Sequence, residues 1–553
     1  MIEKQVSYLQ IHPKDNILVA LKDLEKGFPV NFKSEIIYLK DHVQCKHKFS
    51  TTDLKQGDQL YMYGVLVGEA TTFISSGSAL TTANVHHAAA PFNMGKRKLE
   101  WQKPDVSKFE TLTFNGFARA DGSVGTANYW LVIPMVFCEN RNVNVLKEAL
   151  VEKLGYKKAK GWAPEVDQLI SLYQTGQSVH DILATEFNHN PNTAFTDRVF
   201  PNIDGIKFLT HDLGCGGIRM DSDALCGLLA GYITHPNVAG ATVLSLGCQH
   251  AQTSILMDEI YKRDVKFDKP LVILEQQIAG TEQKMLSDAL RQTFACLMKV
   301  NEQQRKPAPL HKLCIGMECG GSDGFSGISA NPAIGYVSDL LVSIGGSVIL
   351  AEFPELCGVE QELSDRCIDE STAKRFMDLM TTYNAKAEQD GSGFYANPSP
   401  GNIKDGLITD AIKSAGAAKK GGNSPVVDVL DYPEKVTKPG LNLLCTPGSD
   451  VESTTAEVAA GANIVLFTTG LGTPTGNPIS PVIKISTNSA LALKMPDIID
   501  IDCGTIIAGK ETIEQAGERI LRYIIAVASG EEIPKAVQLE QDDFIPWKRG
   551  VSL

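Results

Sequence analysis

Four cysteines stand where apolar segments of strand length give way to polar or glycine-rich turns: Cys138, Cys215, Cys248 and Cys319. Thiolates of this kind suit Fe(II), zinc or an iron–sulfur cluster. The chain contains no CxxC pair, so the spacing by itself carries no metal signature. A buried free cysteine also packs as a small apolar residue. The pattern alone therefore leaves a metal site and simple packing both open.

The remaining cysteines give a weaker signal. The chain has 12 cysteines among 553 residues without the close spacing of a disulfide scaffold, so we expect free thiols. Cys503 also ends a strand-like segment and stays undecided. The others are interpreted as packing residues: Cys45, Cys226, Cys296, Cys314, Cys357, Cys367 and Cys445.

Titratable residues near other strand ends could transfer protons. His211, in LTHDLGC, is the best-placed histidine for a general base or a ligand. Glu352, in LAEFPE, directly follows an apolar strand, and Lys484 lies inside the strand PVIKIST, where a buried cation needs a partner. Arg119 and Asp121, in GFARADGSVGTAN, precede the first strand of the larger pattern. Each residue also has a plain alternative as a satisfied core residue or a solvated loop residue.

Three glycine-rich loops flank these positions: GGSDGFSGISANP at 320–332, NPSPGN at 397–402 and TTGLGTPTGNP at 468–478. Glycine lets the backbone approach a ligand closely, and a helix that begins in such a loop attracts anions. None of the loops matches GxGxxG or GxxxxGK[ST], so the sequence does not support dinucleotide or ATP binding.

The elements that must position these residues alternate between strand and helix. Continuous apolar runs separated by helical stretches predict parallel sheets covered on both faces. The carboxyl ends of parallel strands form one ligand-binding edge, so the four thiols could converge there. The runs lie at 129–137, 206–214, 239–247, 271–275, 312–318 and 347–352, and a second series follows residue 424.

The predicted fold class is α/β, with a small N-terminal β domain followed by two α/β domains whose sheets are largely parallel. The first 90 residues read as short strands separated by turn glycines. The predicted divisions are a β domain at 1–90, a linker at 91–112, a first α/β domain at 113–390 with an insert at about 157–205, and a C-terminal α/β domain at 391–553.

The composition argues against several classes of partner. The chain has 52 basic and 65 acidic residues, a net charge of −13, which argues against a nucleic-acid-binding surface. Hydrophobic residues make up 43% and charged residues 21%, as in globular proteins. No apolar run is long enough to cross a membrane, and no apolar region typical of a secretory signal is visible near Met1. We therefore expect a cytoplasmic protein with a small-molecule ligand, and a homo-oligomer is left open.

Taken together, the motifs resemble the altronate/galactarate dehydratase family. The resemblance runs in order over nearly the whole chain, apart from about 157–205. ECGGSDGFSGISANP and NPSPGN are its longest and most specific parts. The other matching motifs are IHPKDN, GFARADGSVGTAN, HDLGCG, SLGCQ, TTGLGTP and PVIKISTN.

The resemblance implies a fold and an activity. The β domain would be a SAF-type β-clip domain, and the two α/β domains would form the dehydratase body. Members of the family remove water from sugar acids to give 2-keto-3-deoxy acids, with a divalent metal that is typically iron. The leading expectation is conversion of D-altronate to 2-keto-3-deoxy-D-gluconate in hexuronate catabolism. Galactarate or another sugar acid is the alternative substrate, and a non-catalytic paralogue that binds sugar acids is the alternative of another class.

The resemblance also suggests residue roles. His211, Glu352 and Lys484 would be catalytic. Fe(II), or Mn(II) as the alternative, would be bound by Cys138, Cys215, Cys248 and Cys319. His12 and Asp15 belong to the SAF-type domain. The expected substrate-binding residues are Arg119, Asp121, Asn128, Ser322, Asp323, Asn331, Asn397, Asn402, Thr469, Thr473 and Asn488.

This sequence departs from the family pattern at two cations. Ala127 stands where relatives usually carry Arg or Lys before the asparagine of DGxxGxxN, and Leu471 replaces the arginine of TGRGTP. Ala79, Thr81 and Ala83 also replace histidines that often close the SAF domain in the altronate branch. Loss of positive charge disfavours a second substrate carboxylate, so we predict a preference for mono-acids over di-acids.

Overall fold

The N-terminal module is a unit of short antiparallel strands, as the sequence predicts. The computed structural model describes residues 6–92, 99–157, 162–187 and 197–552. The module's strands pair into two three-stranded sheets and one two-stranded sheet. They are Tyr8–Leu9, Ile17–Ala20, Pro29–Phe32, Glu35–Tyr38, Lys48–Ser50, Gln59–Met62, Val65–Ala70 and Val85–His86.

A four-stranded parallel sheet follows. Its strands, in spatial order, are Gly205–Phe208, Tyr129–Pro134, Val238–Ser245 and Leu271–Glu275. Every residue of Val238–Ser245 is buried, which fits a sheet with helices on both faces. The covering helices are Asn140–Lys153 and Glu282–Val300 on one face, and Arg219–Thr234 and Thr253–Arg263 on the other.

A seven-stranded parallel sheet forms the C-terminal body. Its spatial order is Val426–Leu430, Gly440–Leu444, Ser347–Leu350, Cys314–Cys319, Ile464–Thr469, Val482–Ser486 and Ile501–Asp502. The boundary expected at 390/391 therefore does not separate two sheets. Apolar strand patterns do not reveal which strands pair, and the pairs in this sheet join residues from both sides of 390. The break between the two sheets lies between Glu275 and Cys314.

One helical layer lies between the two sheets. Helix Arg219–Thr234 from the first sheet packs against helix Asp450–Ala460 from the second. A Cβ atom on Gly231 would come within 2.4 Å of the carbonyl oxygen of Ala459, so only glycine permits this close approach. Helices Ala330–Ile344 and Ile513–Ser529 cover the outer face of the seven-stranded sheet.

The predicted linker and insert are only partly described. Residues 93–98 of the linker, and 158–161 and 188–196 of the insert, lie outside the described residues. Phe109, at the end of the expected linker, is fully buried in the core of the C-terminal body. The described part of the insert contains two helices, Ala163–Gln174 and Val179–Leu183, neither with a buried residue. No helix within the described ranges is long and apolar enough to cross a membrane.

The remaining elements are short, apart from one long helix. A small sheet joins Val124–Gly125, Thr113–Ala118 and Lys306–Pro309. The remaining α-helices are Gln276–Ala279, Glu360–Asp365, Glu370–Gln389, Pro400–Lys404, Asp410–Ala417, Ser489–Lys494, Gly504–Ile507 and Lys535–Gln538.

Candidate functional site

The seven-stranded sheet reverses its strand order between Cys314–Cys319 and Ile464–Thr469. In open α/β sheets ligands bind at such a switch point, beyond the carboxyl ends of the strands. Two of the predicted glycine-rich loops begin there. A Cβ on Gly320 would lie 2.0 Å from Oδ2 of Asp450, and Gly321 has a φ of +59°, so both positions require glycine.

A buried cluster of acids and lysines lies directly behind this switch point. Lys420 Nζ is 2.7 Å from Glu352 Oε2 and 3.0 Å from Cys319 Sγ. Lys413 Nζ is 2.5 Å from Glu355 Oε1, and the Cys319 thiol is 3.2 Å from Glu355 Oε2. Glu352 has a φ of +65°, a strained conformation that is typical of functional sites. The sequence predicted Glu352 and Cys319 as functional, and the structure brings them together.

The carboxyl groups of the cluster differ in the direction of their pKa shifts. Burial, and then the charge of Glu352, raise the pKa of Glu318 well above its usual value, and burial likewise raises the pKa of Glu352. Burial opposes ionisation of Glu355 too, but Lys413 and Lys420 together hold its pKa below the usual value. The arrangement therefore keeps some carboxyl groups protonated and others ionised within hydrogen-bond distance, which suits proton storage and transfer.

The same cluster fits a metal ion poorly. One ligand atom each from Cys319, Glu352 and Glu355 lies within 4.8 Å of the others, a spacing that could hold an ion. However, the ammonium groups of Lys413 and Lys420 already neutralise these donors. A divalent ion would meet two positive charges at close range, so this donor set favours proton transfer over metal binding.

Lys484 and Asp450 both lie near the Phe467 ring at the switch point. Lys484 is fully buried, its Nζ is 3.5 Å from the ring centroid, and it donates to Thr475 Oγ1 at 3.0 Å. Burial lowers the pKa of Lys484 to about 7. Burial, followed by the charges of nearby glutamates, raises the pKa of Asp450 to about 7. A lysine and an aspartate that both titrate near neutrality are a matched base and acid.

The first module reaches the same edge through Lys46. Its ammonium group is 3.0 Å from Asp323 Oδ2 and 3.1 Å from Asp405 Oδ1. Asp323 is fully buried and also accepts bonds from the side chains of Thr487, at 3.0 Å, and Asn488, at 3.3 Å. The predicted residues Asp323 and Asn488 thus hold the loops of the switch point together.

The other predicted polar residues of this edge have different surroundings. The Asn402 amide donates to the backbone oxygen of Ser322 at 2.8 Å, and Asn331 accepts from Thr468 at 2.7 Å. Thr469 accepts from the backbone of Gly472 at 2.9 Å. These bonds shape the loops. Three predicted residues lie nearer the reactive groups: Asn397, which accepts from Lys413 at 2.7 Å; Thr473, beside Gly321; and Ser322, which is buried next to Asp323.

His12 and Asp15 have a local role in the first module. Asp15 accepts backbone bonds from His12, Tyr63 and Gly64 at 2.8–3.1 Å. These bonds fix the turn that presents Tyr63 to the C-terminal body, where its hydroxyl packs beside Gly327. The module therefore contacts the site through its turn and through Lys46, and His12 and Asp15 act as positioning residues.

The other three predicted thiols lie at a different edge. Cys138, Cys215 and Cys248 are exposed and follow the three adjacent strands of the four-stranded sheet that begin at 129, 205 and 238. Their loops touch, since Phe137 N donates to Leu213 O at 3.1 Å and Ala251 N donates to Gly214 O at 3.2 Å. The expected convergence of four thiols is therefore wrong for Cys319, which belongs to the seven-stranded sheet. Strand-end position alone could not tell the two sheets apart.

These three thiols share one sheet edge, but their sulfur atoms do not all lie within 4.8 Å of one another, so this edge is not a formed three-thiolate site. They are solvent-accessible, and no lysine of the described residues is bonded to them. A cavity of about 230 Å³ beside Cys215 is lined in part by Lys548 and Ser552 of the C-terminal segment. Nδ1 of His211 accepts from Leu213 N at 3.2 Å, and its Nε2 lies 2.8 Å from Pro134 O. Burial lowers the pKa of His211, so a neutral imidazole positions this loop and is not free to act as a base.

Three predicted substrate-binding residues lie at the opposite, amino-terminal end of the four-stranded sheet. Arg119 donates to Pro236 O at 2.7 Å, to Gln303 Oε1 at 2.5 Å and to Asn128 Oδ1 at 3.1 Å. Asp121 accepts from the backbone and side chain of Ser123. Ala127 lies beside them and is buried, so the missing cation there does not face the switch point. Leu471 faces the switch point, since a Cβ atom added at position 321 would contact the Cβ of Leu471.

Sequence reasoning missed five members of the site: Lys46, Glu318, Lys413, Lys420 and Asp450. Lys413 and Lys420 are seven residues apart, which places them on one face of a helical segment. Glu318, like Lys484, is a charged residue inside an apolar strand. Those two signals were available in the sequence, whereas the approach of Lys46 from the first module depends on how the domains pack.

The fold and the site together define a class of protein: an α/β enzyme with an N-terminal β module, in which lysines and carboxylates gather at a switch point without a nucleotide-binding loop. Family models match three consecutive segments. They are the altronate/galactarate dehydratase SAF domain at 6–88, the D-galactarate dehydratase/altronate hydrolase second domain at 116–301 and the D-galactarate/altronate dehydratase C-terminal domain at 310–552.

Similarity to known proteins extends over the full length. The altronate dehydratase of Bacillus subtilis (strain 168) is 32% identical, with 99% of this chain and 100% of that protein covered. The altronate dehydratase of Escherichia coli (strain K12) is 31% identical with the same coverage. The galactarate dehydratase (L-threo-forming) of Escherichia coli (strain K12) is 32% identical, with 95% and 93% covered. The chain belongs to the altronate/galactarate dehydratase family and is a hydro-lyase, as its motifs predict.

Proposed function

We propose that this enzyme dehydrates D-altronate to 2-keto-3-deoxy-D-gluconate. The observation that carries the proposal is the position of Lys484 and Asp450 near Phe467 at the switch point of the seven-stranded sheet, where burial lowers the pKa of Lys484 to about 7 and raises the pKa of Asp450 to about 7. Elimination of water needs a base for the proton next to the carboxylate and an acid for the departing hydroxyl group. Both are most effective when their pKa values lie near the working pH.

In this mechanism neutral Lys484 takes the proton from C2 of the substrate. Asp450 gives its proton to the hydroxyl group on C3, which leaves as water while the C2–C3 double bond forms. The resulting enol becomes the 2-keto product when C3 receives a proton from the Lys484 ammonium group and the C2 hydroxyl group gives up its proton, which restores the protonated form of Asp450. Glu352 and Lys420 stabilise the charge around these steps, and the peptide N–H groups of the glycine-rich loops bind the carboxylate.

The proposal includes iron as Fe(II), with Mn(II) as the alternative. Cys138, Cys215 and Cys248 are the residues that would hold it, because these accessible thiols follow adjacent strands at one sheet edge and thiolates favour the softer metals. Their sulfur atoms do not all lie within 4.8 Å of one another, so their loops would have to move closer for all three to bind one ion. A metal held there would supply Lewis acidity, which stabilises negative charge on oxygen. This edge belongs to the four-stranded sheet, whereas Lys484 and Asp450 belong to the seven-stranded sheet, so the proposal requires the substrate to reach both edges. We place the reaction in hexuronate catabolism in the cytoplasm, where the free thiols of this chain would stay reduced.

Removal of the metal should abolish activity, and Fe(II) under reducing conditions should restore it best. Cys138→Ser and Cys215→Ser should each lower the iron content of the purified protein, because each removes one thiolate. Cys319→Ser should leave iron content unchanged, since Lys420 already pairs with that thiol. Iron would be measured by elemental analysis of each variant. Full activity in excess chelator, or equal iron loss in the Cys319→Ser variant, would contradict the assignment.

The residue at position 471 is expected to affect whether the enzyme prefers altronate or galactarate. The side chain is 39% exposed in the loop facing Gly321, where relatives place an arginine. A charge-assisted hydrogen bond contributes about 1.5–3 kcal/mol, so Leu471→Arg should strengthen binding of a di-acid about 10- to 100-fold, more than of a mono-acid. The measurement is kcat/KM for altronate and galactarate in both proteins.

The exposed Leu493 provides a control for the added charge, since Leu493→Arg introduces the same cation at a solvent-exposed position of helix Ser489–Lys494 and not in the switch-point loop itself. We expect the unaltered enzyme to prefer altronate, and Leu493→Arg to leave that preference unchanged. Faster turnover of galactarate by the unaltered enzyme would instead favour the di-acid as its substrate. A wider panel of hexonates and hexarates, followed by detection of the 2-keto acid, tests the reaction itself.

A further inference from the structure

A second group of metal-type donors lies where the first module meets the C-terminal body. His87 follows the last strand of the module, Cys357 follows the short helical turn Phe353–Leu356, and Asp410 begins helix Asp410–Ala417. One ligand atom from each of the three residues lies within 4.8 Å of the other two. Imidazole, thiolate and carboxylate together form a donor set that zinc prefers. Cys357, predicted as a packing residue, thus has polar neighbours.

The group has more acidic than basic charge. Asp410 faces Nδ1 of His87, and in the described ranges no lysine or arginine forms an ion pair with Asp410 or with Glu360. Glu360 is close enough to act on the charges of both His87 and Asp410. Nδ1 of His87 is buried and lies against Oδ1 of Asp410, so this carboxylate is its charge partner. A cation bound between a neutral imidazole and these acids would compensate the excess acidic charge.

The Cys319 cluster differs from this group in its positive charge. Both groups contain a thiol and carboxylates within 4.8 Å of one another. At Cys319 two lysines supply the positive charge, at 2.5–3.0 Å from their partners. At Cys357 the basic neighbour is a single histidine, and imidazole is the commonest metal ligand. The two clusters therefore differ in the one property that decides whether a divalent ion is favoured.

We propose that His87, Cys357 and Asp410 bind a divalent cation of the zinc type, with Glu360 as the nearest further carboxylate. The ion joins the end of the first module to two elements of the C-terminal body. The surrounding contacts fit such a fastening, because Thr409 Oγ1 donates to Val67 O of the module at 2.9 Å. The proposal is independent of the proposed reaction and of the iron at Cys138, Cys215 and Cys248.

Cobalt(II) tests this site, because a cobalt–thiolate bond absorbs in the near ultraviolet. The full-length chain would carry Cys138→Ser, Cys215→Ser and Cys248→Ser, so that the thiols of the proposed iron site give no signal. Metal-free, reduced protein would be titrated with Co(II). We expect one equivalent to bind and the thiolate band to appear, and we expect zinc to raise the unfolding temperature of the same protein.

The variants then identify the ligands. Cys357→Ser should remove the thiolate band, and His87→Gln should weaken cobalt binding more than about tenfold. The adjacent His86 is the matched control, since it lies 3.5 Å from Glu69 and outside the donor group, so His86→Gln should bind cobalt normally. Absence of the band before Cys357 is changed, its persistence in Cys357→Ser, or equal weakening by His86→Gln and His87→Gln would overturn the proposal.

Discussion

Replacing Lys484 with methionine is expected to lower kcat about 100- to 10,000-fold, the range that general acid–base groups contribute. Methionine keeps the length and apolar contacts of the side chain beside Phe467 but cannot accept a proton. Because the folded structure buries this lysine at a cost, the variant should fold at least as well as the unaltered enzyme. Steady-state kinetics with altronate, together with a thermal unfolding curve, would separate lost chemistry from lost structure.

Lys207 offers a matched control for this substitution. It also lies in a strand over an aromatic ring, with Nζ 5.4 Å from the ring centroid of Tyr129, but it belongs to the four-stranded sheet. Lys207→Met should change kcat little. A kcat for Lys484→Met within about threefold of the unaltered enzyme would be far below the effect of losing a general base and would rule this lysine out.

The same pair of residues predicts the pH dependence of the reaction. Burial lowers the pKa of Lys484 to about 7, so its neutral, basic form increases as pH rises through that value. Asp450, with a pKa raised to about 7 first by burial, loses its acidic form over the same interval. The profile of kcat/KM should therefore be a narrow bell near pH 7. Asp450→Asn should lower the rate and remove the alkaline limb.

The second large effect is expected on stability. Lys420→Met leaves Glu352 and the Cys319 thiol without their buried cation, and removal of one partner of a buried ion pair costs about 3–5 kcal/mol of unfolding free energy. Lys420 is 1% exposed and Glu352 is fully buried, so water cannot replace the lost ammonium group. Urea unfolding of both proteins would measure the difference.

Two further variants test whether the loss of stability comes from the unpaired buried charge. Adding Glu352→Gln to Lys420→Met removes the unpaired carboxylate and should restore part of the lost stability. Lys374→Met breaks an ion pair with Asp378 on the surface, at 2.7 Å, and should change stability little because both groups are exposed to solvent. A loss in Lys420→Met no larger than in Lys374→Met would show that the buried charges do not depend on this lysine.

Much of the fold could be predicted from the sequence, because each segment carries its own pattern. The run Tyr129–Pro134 is apolar at every position, as expected of a strand buried on both faces, and the structure forms it as a strand. The short strands of the first module follow from turn glycines in the same way. The patterns could not show which strands pair. Cys314–Cys319 looks like the strands before it, but it pairs with Ser347–Leu350 on one side and with Ile464–Thr469, after residue 390, on the other.

Some residues of the candidate site could likewise be predicted from their sequence context, and others could not. Glu352, Lys484 and Asp323 could be predicted, because each is a charged residue in or next to a buried strand or loop, where burial demands a partner. His211 was predicted as a base, but both ring nitrogens face the backbone. Arg119 was predicted beside the substrate, but it lies at the amino-terminal end of its sheet. The chemical type of a side chain shows which reactions it could support, but it does not predict at which end of a sheet the side chain lies.

By itself, the sequence determined the order of elements, the alternation of strand and helix, the family and the residue types that reach strand ends. These are local properties, set by periodicity and by the cost of burying charge. Only the tertiary structure decided that Cys319 lies apart from the other three thiols, that Lys413 and Lys420 neutralise its cluster, and that Lys46 reaches Asp323 from another module. Those outcomes depend on contacts between residues far apart in the chain, and local patterns carry no information about which distant strands become neighbours.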